Sequence, residues 1–183
     1  ISIIALVPAI DNEIWAVGNQ QNTVEIYRYN NTRWQKSISA KISSKINPTS
    51  ISTLNDGAVW FGSDDAAYQY TGQKLNTYRT NHLVHAIGQT TEGTVWISSR
   101  TNLYRLENQT IQQITQPEAL NRTITKAILG SKNGDLWIGT EFFGLFQFDG
   151  TFWKRHDIQD GLPDNNITDI IDLPDGHIIA STV

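Results

Sequence analysis

No cysteine occurs in the 183 residues, so neither disulfides nor thiolate metal ligands can hold this chain together. Methionine is absent too, and the chain opens at Ile1 with no basic leader followed by an apolar segment. It reads as an excerpt from a longer chain, or a processed one. Charge is scarce: 17% of residues are charged against 39% hydrophobic, a balance that excludes disorder. The net charge of −4 comes without any basic stripe, which argues against a nucleic-acid partner. No run approaches the roughly 20 apolar residues that cross a bilayer as a helix. The polar weight falls on Asn, Gln, Ser and Thr instead, which suits an exported protein.

What is present is a repeat. The segment NGDLWIGTEFFGLFQFDGTFW, residues 133–153, crowds aromatics between glycines. Its first five residues have counterparts in DNEIW (11–15), DGAVW (56–60), EGTVW (92–96) and DGHII (175–179). Nine positions before each Trp position stand Leu6, Ile51, Ile87, Ile128 and Ile170. Ten before it stand Ala5, Ser50, Ala86, Ala127 and Asp169, mostly small. A second block aligns as IYRY (26–29), AYQY (67–70), LYRL (103–106) and LFQF (145–148), followed five residues on by Trp34, Leu75, Ile111 and Trp153. A period of about 40 residues means a solenoid, a propeller or an array.

The pattern inside each period selects among these. Apolar runs are short, rich in Ile, Val, Tyr, Phe and Trp, and bounded by Asp-Gly, Asn-Gly and Thr-Gly turns. No helical periodicity is sustained. Each period holds four short strands, A to D, with the Trp on B and the aromatic pair on C. The expected fold is all-β: a β-propeller of four-stranded antiparallel blades. Residues 1–49, 50–85, 86–126 and 127–166 make four complete blades, and 167–183 supply strands A and B of a fifth. The expectation is a single propeller portion, part of a larger ring, whose open edges leave dimerisation available. Trp137, Phe146, Phe148 and Trp153 are expected to fill the space between blades, since stacked sheets need bulky side chains on both faces.

The stretch NGDLWIGTEFFGLFQFDG, followed by DIQDGLPDNNITDI (157–170), resembles the two-component regulator propeller repeat. The fourth repeat matches along nearly its whole length, the second and third more loosely, and the first, with DNEIWAVG, least. The resemblance implies the extracytoplasmic sensor portion of a bacterial membrane-bound receptor, on the periplasmic or extracellular side. It further implies a membrane helix and a cytoplasmic histidine kinase or diguanylate cyclase in the full chain. It implies no catalysis in the propeller itself, no cofactor, and a small-molecule or saccharide ligand.

Loop lengths point to a face. The A–B and C–D turns keep constant length, whereas the B–C and D–A connections vary, and these two share one face because strands alternate in direction. Repeat proteins put variable loops on the binding face. The candidate ligand-binding residues there are Asp64, Arg100, Glu141, Phe142 and Phe143. Arg100 and Glu141 follow strand B, where a loop can aim them at the axis. Phe142 and Phe143 cannot both enter one core, so one of them is available for stacking. Asp64–Asp65 and His82–His85 are conceivable metal pairs, and adjacent solvated carboxylates and non-converging histidines are the simpler reading. DGLPDNN (160–166) has a sufficient role as a turn former. Two other readings stay open: a carbohydrate-acting propeller enzyme, glycosidase or lyase, and a scaffold for protein contacts. A glycosidase needs paired carboxylates at set separation, and nothing in the sequence picks out a pair.

Overall fold

Four sheets of four strands and a final pair make up the computed structural model, which describes residues 2–9 and 13–183. The first sheet orders β1 (Ser2–Pro8), β2 (Ile14–Gln20), β3 (Thr23–Tyr29) and β4 (Trp34–Lys41) as they occur in sequence. The second holds β5 (Ile46–Thr53), β6 (Val59–Ser63), β7 (Ala66–Tyr70) and β8 (Leu75–Arg79). The third holds β9 (Val84–Gln89), β10 (Val95–Ser99), β11 (Leu103–Glu107) and β12 (Thr110–Ile114). The fourth holds β13 (Thr125–Gly130), β14 (Leu136–Thr140), β15 (Leu145–Phe148) and β16 (Trp153–His156). A last pair joins β17 (Ile167–Asp172) to β18 (Ile178–Thr182). Successive strands run antiparallel, as in β2–β3, β6–β7 and β14–β15. These are the four-stranded blades of a β-propeller, in the number and order that the repeat predicts. Strands β5 and β9 start ahead of the repeat boundaries at 50 and 86, so the inner strand takes in residues before its small anchor.

Tight turns explain why the chain reverses where it does. Gly57, Gly93, Gly134 and Gly176 all adopt positive φ, between 75° and 88°, where a side chain would be strained. Each donates its N–H to a carbonyl three residues back: Leu54, Thr90, Ser131 and Leu173. The acidic or amide residue before each glycine therefore belongs to one conserved turn geometry. The Asp11–Asn12 turn of the first repeat lies outside the described residues.

The chain divides into two compact units, Ile1–Val84 and His85–Val183. In the first, Trp15, Val17, Val24 and Ile26 share a buried cluster with Val59, Phe61, Tyr68 and Tyr70. Trp15 meets Tyr70 edge-on at 5.8 Å. In the second unit, Trp96 packs with Leu136, Ile138 and Phe146, and Trp137 lies against the cluster of Leu145, Ile167 and Ile170. Phe148 stacks on Trp153 at 4.7 Å. The quoted aromatics are thus the filling between sheets. The first sheet differs at its other face. Leu6 is 62% exposed and Trp34 46%, whereas Ile128 and Trp153, their repeat counterparts, pack against a core.

One irregularity recurs. The register of the inner strand shifts between Ile3 and Ala5, between Thr125 and Ala127, and between Ile167 and Asp169. Each shift inserts one residue, Ile4, Lys126 or Thr168, that has no partner on the neighbouring strand. It is a β-bulge at a fixed repeat position, eleven before the Trp position. A bulge bends the strand and re-aims the extra side chain.

Candidate functional site

The candidate residues leave the ends of the second strands. Asp64 follows β6, Arg100 follows β10 and Glu141 follows β14, each four residues past its Trp. They hold one repeat position in three chemistries.

In the first unit, the two acids of the β6–β7 loop have separate fates. Asp65 Oδ1 accepts from the hydroxyls of Ser43 (2.7 Å), Ser44 (2.9 Å) and Ser63 (3.0 Å), and Oδ2 pairs with Arg79. Burial pushes its carboxyl up, but the three hydroxyls and the guanidinium outweigh that and hold it below the ordinary carboxylate value. Asp65 is therefore a structural knot tying three loop segments. Asp64 is exposed, and among the described residues only its backbone N–H is engaged, donating to Ser44 Oγ at 3.2 Å. Among the described residues, no group of three or more His, Cys, Asp or Glu side chains gathers to hold a metal ion. His82 is exposed on its loop while His85 is buried on β9.

In the second unit the loop residues converge with two others. Glu141 Oε1 lies 3.5 Å from Lys126 Nζ, the residue that the β13 bulge frees from the ladder. His85 holds the equivalent position on β9 and is 7% exposed. Its Nδ1 is buried without a hydrogen-bond partner. Burial lowers the imidazole below its ordinary value; Arg100 and Lys126 lower it further, and Glu141 opposes them. Arg100 is exposed. The structure thus brings Arg100 and Glu141 into one electrostatic neighbourhood with His85 and Lys126. Lys126 was not legible as a site residue in the sequence, and His85 was read only beside His82. The signal that could have found them is the repeat position eleven before the Trp position, where the sequence has Ile4, Thr49, His85, Lys126 and Thr168 beside an otherwise small-residue column.

The two phenylalanines part as their adjacency requires. Phe142 is 63% exposed. Phe143 packs on the buried cluster, with the Arg155 guanidinium 5.6 Å from its ring. Beneath them the backbone is fixed. Thr140 Oγ1 donates to Gly144 O at 2.7 Å and accepts from Phe143 N at 3.1 Å. Gly144 N donates to Asn165 O at 2.9 Å. Residues 157–166 supply that carbonyl from an ordered loop. Asp157 caps the short 3-10 turn Ile158–Asp160 in a reciprocal capping box, and Ile158 N donates to Asn165 Oδ1 at 3.2 Å. The DGLPDNN run is a strut under the Glu141–Gly144 loop.

The fourth sheet, with its Leu-Trp-Ile-Gly-Thr strand and the connection before it, decides the family comparison. Residues 119–142 match the two component regulator propeller repeat. The resemblance read from the sequence is borne out there. No curated protein matches the chain by sequence. Among solved structures, the chain is similar to the extracellular domain assigned to a one component system of B. thetaiotaomicron, with 19% identity and a TM-score of 0.71. That match covers 99% of this chain and 26% of the other, so the chain spans about a quarter of that length. It is also similar to a catalytically inactive histidine-to-alanine variant of virginiamycin B lyase from Staphylococcus aureus bound to quinupristin, with 14% identity, a TM-score of 0.70, and 98% and 69% of the two chains covered. A third similar structure is PorZ, a surface component of the type-IX secretion system of Porphyromonas gingivalis: 14% identity, TM-score 0.71, covering 98% of this chain and 30% of that one. At these identities the likeness is one of fold. Among the described residues no helix is long and apolar enough to cross a membrane.

Proposed function

We propose that the chain is a ligand-sensing propeller module on the extracytoplasmic side of a bacterial membrane, without catalysis of its own. In the full receptor it would pass a binding signal through a membrane helix to a kinase or cyclase. One observation carries this reading: at the variable-loop end of the fourth sheet Lys126 and Glu141 meet at 3.5 Å, and both, with Arg100, act electrostatically on the buried His85 imidazole, with an exposed Phe142 next in the chain to Glu141. The opposite turns share one fixed geometry and leave little room for such variation. The repeat match at 119–142 and the likeness to a receptor's extracellular domain support the same assignment. A ligand can shift a receptor only through unequal affinity for its two arrangements, so binding across several loops suits the task.

A lyase-like enzyme is the second reading. One solved relative of this fold loses catalysis with a single histidine, and His85 is a buried imidazole whose titration is lowered by burial and opposed by the Glu141 carboxylate. The experiment is a thermal-shift screen of small solutes and saccharides against the chain and against the R100A/E141A/F142A variant. Sensing predicts a ligand that stabilises the first, fails on the folded variant, and is recovered unchanged. Consumption of the ligand would establish the enzyme. Equal shifts with both proteins would move the site elsewhere and favour the scaffold.

A further inference from the structure

Five arginines, Arg28, Arg79, Arg105, Arg122 and Arg155, each pair with a carboxylate. Among the described residues Arg33 and Arg100 pair with none, although the chain carries 18 acidic residues against 14 basic ones; Arg33 lies in the turn before β4, and of the two only Arg100 stands on a variable loop. Lys126 is nearly as available. Its contact with Glu141 spans 3.5 Å, beyond the roughly 2.7–2.9 Å of a charge-assisted hydrogen bond. Both side chains keep water access, so the pair is readily displaced. The third component is His85, over nine-tenths buried, with Nδ1 unpartnered. Buried polar atoms without a partner call for an explanation, an absent ligand among them; His85 Nδ1 is one of ten such atoms among the described residues, and the one that sits beside the Arg100 and Lys126 charges in its electrostatics.

We propose that Arg100, Lys126 and His85 form an anion subsite for a small carboxylate-bearing solute, and that Glu141 serves as the resident counter-ion when the solute is absent. The inference rests on the reading of the variable-loop end as a binding face and adds the ligand's chemistry. Arg100 offers a planar fork that matches a carboxylate in bidentate fashion. Lys126 supplies a point charge from the bulge. His85 Nδ1, covered at rest, adds a further hydrogen bond in the tautomer that carries the proton there once the arriving solute shifts the side chains that shield it. The two cations against one resident acid leave one positive charge for the incoming carboxylate to neutralise. Phe142, exposed beside Glu141, offers apolar surface to the rest of the solute.

The test uses the full chain with isotope-labelled Arg and His side chains, followed by NMR. The probes are succinate and glucuronate, with succinamide and glucose as neutral counterparts. The expected result is saturable displacement of the Arg100 Nε–H and His85 ring signals by the two carboxylates and not by the neutral probes. R100Q and K126Q should each weaken binding by about tenfold or more, and E141Q should tighten it. Two exposed positions are used so that misfolding of one variant leaves the other informative. Saturable binding of glucose alone, with Phe142 shifted and Arg100 silent, overturns the anion subsite and keeps the binding face. Carboxylate binding unchanged in both glutamine variants overturns the subsite as well. Absence of saturable shifts with all four probes counts against both.

Discussion

Trp96 meets Phe148 edge-on, with 6.2 Å between ring centroids and 79° between planes. The two residues belong to different sheets, and Trp15 and Tyr70 repeat the arrangement in the other unit at 5.8 Å and 86°. Edge-to-face pairs of this kind add about 0.5–1.5 kcal/mol to the burial of the rings themselves. Trp96 is 4% exposed. Its replacement by Ala should cost about 3–5 kcal/mol in urea unfolding, and replacement by Phe clearly less. Equal, small losses from both substitutions would mean that the sheets do not depend on this filling.

Gly144 tests the strut beneath the candidate loop. Its φ is +77°, and a Cβ there would overlap the carbonyl oxygen of His156. Gly144→Ala should therefore destabilise by at least about 1–3 kcal/mol. It should also release residues 157–166 to limited proteolysis, because the bond from Gly144 N to Asn165 O is lost. An unchanged cleavage pattern would refute the coupling between the two loops.

The acidic pair should separate cleanly. Asp65→Ala strands three serine hydroxyls and Arg79 and is expected to cost about 1–3 kcal/mol. Asp64→Ala touches no side-chain partner among the described residues and should stay within about 0.5 kcal/mol. Thermal unfolding of the two variants side by side decides it, and equal effects would contradict the knot.

Acid should weaken the fold through its histidines. Burial depresses His85 and also His156, which stacks on Trp137 at 5.4 Å. A group depressed in the folded state binds fewer protons there than in the unfolded chain, so stability rises with pH across its titration. The stabilisation is fully present above the ordinary imidazole value of 6.5. It is lost progressively as pH falls from there through the lower folded-state values. H85Q and H156Q should each flatten the curve of unfolding free energy below that point. A curve unchanged by both would show that other groups govern it.

Much of this architecture was written in the sequence because turn chemistry and strand alternation are local. The Asp-Gly, Glu-Gly and Asn-Gly signals place Gly57, Gly93, Gly134 and Gly176 at positive φ, and the Trp offset fixes the second strand. Asp64, Arg100 and Glu141 were readable as loop residues for the same reason. Their company was not. Lys126 meets Glu141 only because a bulge lifts it from the ladder, and the register that reveals the bulge depends on the pairing of two strands. The fate of Asp65 was equally hidden, since the serines it gathers come from residues 43, 44 and 63.

The recurring bulge has an evolutionary reading. A residue outside the ladder owes nothing to cross-strand pairing, and the chain places Ile4, Lys126 and Thr168 at that point in three sheets without altering the register around them. Such a position behaves as an interchangeable socket. Point mutations there can exchange an apolar, basic or hydroxyl group at the loop end of a blade while the sheet stays intact. A lineage of these repeats could thus acquire new ligand chemistry one codon at a time, with foldability insulated from the search.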